Sequence, residues 1–161
     1  MNTWRTADPE AAISIINALT EVPWPQTEPA TIEFLKGLGW TLDENGVTMV
    51  SNLGVSPGDA MVVALKSGEV TRVSFDVCDI FQPDEAETKA DFVQDLFAEF
   101  AARFRQEWGK PVKTTTKPTA EIWWKVGDDC LAKIRRGVWT PKVEFATPRG
   151  AGIDRTPEVV L

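Results

Sequence analysis

Residues 121–136, EIWWKVGDDCLAKIRR, constrain the fold more than any other stretch. Successive side chains of a β-strand point to opposite faces, so Trp123 and Trp124 cannot share one core. With Val126 and Cys130 flanking the turn Gly127-Asp128-Asp129, the arms pair Lys125 with Leu131, Trp124 with Ala132, Trp123 with Lys133 and Ile122 with Ile134. In that register Ile122, Trp124, Val126, Cys130, Ala132 and Ile134 form an apolar face, the large Trp124 opposite the small Ala132. The other face carries Trp123, Lys125, Leu131, Lys133 and Arg135. With Met61, Val63 and Leu65 of the earlier hairpin also pointing outward, a second sheet face carrying them beside Leu131 and Trp123 is too apolar to stay bare, and either this chain or another covers it.

The preceding chain supplies the rest of an α+β fold. Asp8-Pro9 reads as an N-cap with proline at the first helical position, and Ala12, Ile15, Ile16 and Leu19 recur at helical spacing over about 9–20. Thr27-Glu28-Pro29 opens a second short helix that buries Ile32, Leu35 and Leu38 and ends at Gly39. From Trp40 the period changes to two. Asn45-Gly46 predicts a type I′ hairpin and Ser67-Gly68-Glu69 a second turn, which together make a four-stranded antiparallel meander. In it Val62, Ala64, Val73 and Phe75 face the core, while Met61, Val63, Leu65, Arg72, Ser74 and Asp76 face outward.

A long helix over 84–108 follows, with Val93, Leu96, Phe97, Phe100, Phe104 and Trp108 as its apolar stripe and Gly109 as its stop. Asp84 and Glu87 have capping-box spacing, and with Asp91 and Asp95 they make its other face acidic. The segment 112–119, VKTTTKPT, reads as a polar connector. The expected architecture is an antiparallel sheet of a meander plus the late hairpin, with two short N-terminal helices on one face and the long helix on the other. Residues 1–146 form the single domain and 147–161 an irregular tail, whose Val159, Val160 and Leu161 are available to dock.

The composition excludes several chemistries. The chain of 161 residues has no histidine and no tyrosine, which removes Ser-His-Asp and Cys-His catalysis, His-ligated metals and a His pH switch. Cys78 and Cys130 lack CxxC spacing and read as two reduced, buried thiols. The carboxylates Asp76 with Asp79 and Asp128 with Asp129 read as turn and surface groups. No calcium loop, phosphate cradle or GxSxG setting is present, so no catalytic residue, metal or cofactor is expected.

Charge is uneven. Residues 1–109 carry 7 Lys and Arg against 18 Asp and Glu, whereas residues 110–161 carry 10 against 6. The net −7 opposes nucleic-acid and anionic-membrane binding and favours encounter with a basic protein. No apolar run reaches the roughly 18 residues of a membrane span, and MNTWRTADPE lacks a basic start followed by an apolar run, so a cytoplasmic protein is expected.

Trp4-Arg5, Val22-Pro23-Trp24-Pro25, Gly39-Trp40 and Ile122-Trp123-Trp124 give the chain a resemblance to small uncharacterised actinobacterial proteins classed under a domain of unknown function. That resemblance covers residues 1 to about 146 and implies no catalytic assignment. The order of elements also resembles secretion-chaperone-like and toxin-immunity proteins, which implies a monomer or homodimer that binds another protein. The expectation is a non-catalytic immunity protein that occludes a basic toxin domain through Trp123, Lys125, Leu131, Lys133 and Arg135, or through Asp84, Glu87, Asp91 and Asp95. The alternatives are a chaperone holding an export substrate and a small His-free hydrolase.

Overall fold

The computed structural model describes residues 4–46, 48–80, 86–117, 119–137 and 140–155, with backbone only for 86–88. Helices α1 (Pro9–Thr20) and α2 (Glu28–Gly37) start as their caps dictate. Asp8 accepts the Glu10 N–H at 2.9 Å, and Thr27 Oγ1 accepts the Ala30 N–H at 3.3 Å. Four strands follow: β1 (Thr41–Leu42), β2 (Met49–Val50), β3 (Asp59–Ala64) and β4 (Val70–Asp76). After α3 (Ala86–Trp108) come β5 (Lys113–Thr115), β6 (Glu121–Val126), β7 (Cys130–Arg135), β8 (Lys142–Ala146) and α4 (Pro148–Arg155).

All eight strands join one antiparallel sheet in the order β1-β2-β3-β4-β8-β7-β6-β5. The meander and the late hairpin are therefore one sheet, and β8 stitches them together between β4 and β7. The hairpin register is the expected one, from Val126 opposite Cys130 to Ile122 opposite Ile134. Two rows of side chains cross the sheet on its core side. Ile122, Ile134, Val143, Phe75 and Ala60 form one, and Trp124, Ala132, Phe145, Val73 and Val62 form the other. Trp124 is fully buried against Phe104 and Trp108, and its Nε1 donates to the Gly109 carbonyl at 3.0 Å.

Several expectations are corrected. The three larger helices share one side: Ile16 and Leu19 of α1, Leu35 of α2 and Phe100 and Phe104 of α3 pack into the same core as those two rows. An apolar stripe on each helix needs an apolar sheet face, and only one face of this sheet is apolar throughout. The connector 112–119 contains the edge strand β5, because its backbone completes the free edge of β6. At the first hairpin only Gly46 has positive φ (71°), and Asn45 does not, so the turn is not type I′; the Gly46 N–H instead closes on the Asp43 carbonyl at 3.1 Å. The expected capping residue Asp84 and the terminal Val159, Val160 and Leu161 lie outside the described residues, as does the side chain of Glu87.

The tail is not irregular over 148–155. Thr147-Pro148 repeats the cap-then-proline signature of Asp8-Pro9: Thr147 Oγ1 accepts the Gly150 N–H at 3.2 Å, and its own hydroxyl donates to the Val70 carbonyl at 3.0 Å. Helix α4 lies on the sheet's second face across β4, β7 and β8. Gly150 makes that approach possible, since a Cβ there would fall on the Thr71 carbonyl oxygen, whereas Gly152 faces open space. The expected result is that Gly150→Ala lowers stability in urea unfolding by about 1–3 kcal/mol through overpacking. Gly152→Ala is expected to be neutral or to stabilise by up to about 1 kcal/mol; equal effects at the two sites would contradict this docking.

Candidate functional site

The second face of the sheet is built from three cross-strand rows. Lys125, Leu131, Ala146, Arg72 and Val63 form the first. Lys113, Trp123, Lys133, Glu144, Ser74 and Met61 form the second. The third runs Glu121, Arg135, Lys142 and Asp76, with Asp59 beside Asp76 at the start of β3. Opposite charges at neighbouring positions hold such rows together.

Helix α4 closes over the middle of the first two rows. Leu131, Ala146 and Ala151 form a small dry cluster with Trp123 against it. Asp154 reaches down from α4 between two cations: Arg72 donates through both terminal nitrogens at 2.5 and 2.8 Å, and Lys133 Nζ donates at 2.6 Å. Glu144 completes the group at 3.1 Å from Arg72 and 3.2 Å from Lys133. Lys133 is only 3% exposed, so this ammonium has exchanged water for two carboxylates. Burial alone would raise the Asp154 pKa, but the hydrogen bonds from Arg72 and Lys133 outweigh it and hold the carboxyl below its ordinary 3.8. The Arg72 guanidinium is correspondingly raised, first by its bond to Asp154.

The predicted binding residues therefore divide. Trp123 is half-buried, with Lys133 Nζ 4.0 Å and Lys113 Nζ 4.4 Å from the ring centroid, and its Nε1 donates to Glu121 at 2.7 Å. Leu131 and Lys133, expected to meet a partner, are buried beneath α4, so this chain covers that part of the face itself. Lys125 is exposed, and Arg135 is paired to Glu121 at 3.3 Å. Asp91 and Asp95 are exposed on α3, across the sheet from Trp123, so the acidic helix and the tryptophan face are two surfaces and not one site.

Beyond α4 the second face stays open toward β3. Met61 is 52% exposed and Val63 39%, beside a cleft of about 250 Å³ lined by Met61, Ser74, Lys133, Arg135, Lys142 and Glu144. A larger cleft of about 470 Å³ adjoins it and shares Met61, Ser74 and Lys142; Asp59, Asp76, Thr48, Thr140 and Ile80 complete its lining. Asp76 is its buried charged group, 2% exposed. Among the described residues its Oδ1 has no partner at ordinary hydrogen-bond distance; Lys142 Nζ stands 3.5 Å away as a long ion pair. Burial pushes the Asp76 carboxyl above its ordinary 3.8, against the pull of Lys142.

Asp76 was legible as an outward residue of β4, but Glu144, Lys142 and Asp154 were missed. The alternation Lys142-Val143-Glu144-Phe145 is a period-two signal that marks β8 and both of its outward charges. Cys78 and Cys130 are both buried free thiols, each pushed up to about 11 chiefly by burial. A thiol so raised is a poor nucleophile.

A family model described as a family of unknown function, DUF6301, matches residues 10–147. The chain belongs to that family. The DUF6301 match spans the eight strands and ends at Thr147, the cap of α4, so Asp154 lies beyond it. Searches of curated proteins and of solved structures gave no match. No helix among the described residues is long and apolar enough to cross a membrane.

The raised pKa of Asp76 has a stability consequence. A carboxyl whose folded pKa lies above its unfolded value favours the fold while protonated, below pH 3.8, and that contribution is lost as pH rises through the folded pKa. Asp76→Asn is therefore expected to be more stable than the parent protein at pH 7, with the difference vanishing below pH 3.8 in urea unfolding. A variant less stable at pH 7 would show that Lys142 outweighs burial.

Proposed function

We propose that this protein is a non-catalytic binder of another folded protein, an immunity-type protein that occludes a basic toxin domain. The observation that carries the reading is the part of the second sheet face left open by α4. There Met61 and Val63 stand exposed on a rigid strand beside Asp59 and Asp76. An apolar contact next to buried or half-buried charge is the composition of an interface anchor. On α3, Asp91, Asp95 and Glu99 face solvent and form no ion pair among the described residues. Lying across the sheet, they act by steering a basic partner at long range.

The sheet edges favour a folded partner over the extended export substrate of the chaperone reading. An added strand needs a long free edge, and the edges here are β1, of two residues, and β5, of three. The His-free hydrolase reading retains one observation, that Asp59 and Asp76 line the same cleft. It requires turnover that is abolished by either Asp59→Ala or Asp76→Asn.

The test is to isolate a stoichiometric partner with the intact protein and then to assay that partner's own activity free and in complex. A 1:1 complex in which the partner is silenced is expected, with affinity at least about tenfold weaker for Met61→Glu. A partner fully active in the complex would sink the immunity reading, and a dimer gripping an unfolded segment would replace it with the chaperone one.

A further inference from the structure

The larger cleft on the second sheet face holds a buried carboxylate oxygen, Asp76 Oδ1, that has no partner at ordinary hydrogen-bond distance among the described residues although the group lines an open cavity of about 470 Å³. An oxygen removed from water and held only by one long ion pair is under-satisfied, and a closer donor arriving from outside improves it. Among the described residues, the charged groups lining the cleft are Asp59, Asp76 and Lys142, two anions and one cation. Lys142 is loosely held: its side chain is 46% exposed, and its ammonium is a long 3.5 Å from Asp76 Oδ1. Ile80 is 43% exposed and Met61 52%, which gives the cleft apolar walls around its acidic floor. Thr48 and Ser74 add hydroxyl groups to the same lining.

Resting on the protein-binding reading above, we propose that this cleft receives one arginine side chain of the protein partner, its guanidinium displacing Lys142 from Asp76. A guanidinium suits the cleft better than an ammonium. Its planar fork serves carboxylates on two neighbouring strands at once, and its weaker hydration lets it lie against Met61 and Ile80. Displacing Lys142 into solvent leaves Asp59 and Asp76 facing a single guest cation.

Met61 supplies the probe. The chain has three methionines, of which Met61 lines the cleft while Met49 is buried on the core side as an internal control. With the full chain labelled at the methionine methyl carbons, acetyl-Gly-Arg-Gly-amide is titrated against the methyl spectrum, beside the same peptide carrying neutral citrulline. The expected result is a saturable shift of Met61, with Met49 unmoved, and binding at least about tenfold weaker both for the citrulline peptide and for Asp76→Asn. An unmoved Met61, an equal response to citrulline, or undiminished binding by Asp76→Asn would overturn the proposal. Spermidine binding more tightly than the arginine peptide would also overturn it, by making the cleft a free-polyamine site. Because Asp76→Asn removes a desolvated charge, the variant is expected to stay folded, and the Met49 signal verifies that it has. If the peptide fails here while an isolated partner still binds, the cleft assignment alone is lost; if the peptide binds and no partner is found, only the protein-binding reading is lost.

Discussion

An ammonium taken out of water at Lys133 must be met by anionic oxygen, and that requirement organises the whole second face of the sheet. One carboxylate comes from the neighbouring strand, Glu144 of β8, and the other from Asp154 at the end of the chain's last described helix. The same Asp154 takes both terminal nitrogens of Arg72 from β4. One short helix is thereby tied to β4 and β7, the strands on either side of β8. Its weak intrinsic helicity, with Gly150 and Gly152 inside eight residues, is offset by this tie and by the close approach that Gly150 allows.

Covering the centre of the face divides it. Trp123 and Leu131 become part of a closed layer, with lysine ammonium groups beside the indole ring. Toward β3 the same rows run out from under α4, and there the exposed apolar residues and the acidic cleft lie side by side. The question raised by the tryptophan pair thus has a physical answer: Trp124 faces the helical core, and Trp123 faces cations and the edge of α4. The exposed apolar surface lies at the other end of the same row, at Met61 on β3.

Much of this was legible from residue order. Period-two alternation with a tight turn defined the β6–β7 register down to each pair, and the 3.6-residue stripe of Phe97, Phe100 and Phe104 defined α3 and its buried side. The outward residues of β3 and β4 were assigned to the correct face for the same reason. What failed was what alternation does not encode. The choice of face for α3 depends on which side of the assembled sheet is apolar, and that was unknown until β8 was placed between β4 and β7. Helix α4 was hidden by its glycines, although Thr147-Pro148 repeated a cap signature already read at Asp8-Pro9. Without α4 and β8, neither Asp154 nor Glu144 was available to bury Lys133, so Lys133 and Leu131 were assigned to a partner-binding face.

The most direct test of this account is a double-mutant cycle between β7 and α4, with Lys133→Met, Asp154→Leu and the double substitution compared by urea unfolding at pH 7. If Lys133 and Asp154 tie the helix to the sheet, each single change strips a buried charge of one partner, leaving Asp154 to Arg72 alone or Lys133 and Arg72 to share Glu144, and the double variant recovers stability, giving a coupling energy of at least about 1.5 kcal/mol. Effects that add within about 0.5 kcal/mol would contradict it, and would mean that the open strip beside Met61 is not bounded by a fixed helix.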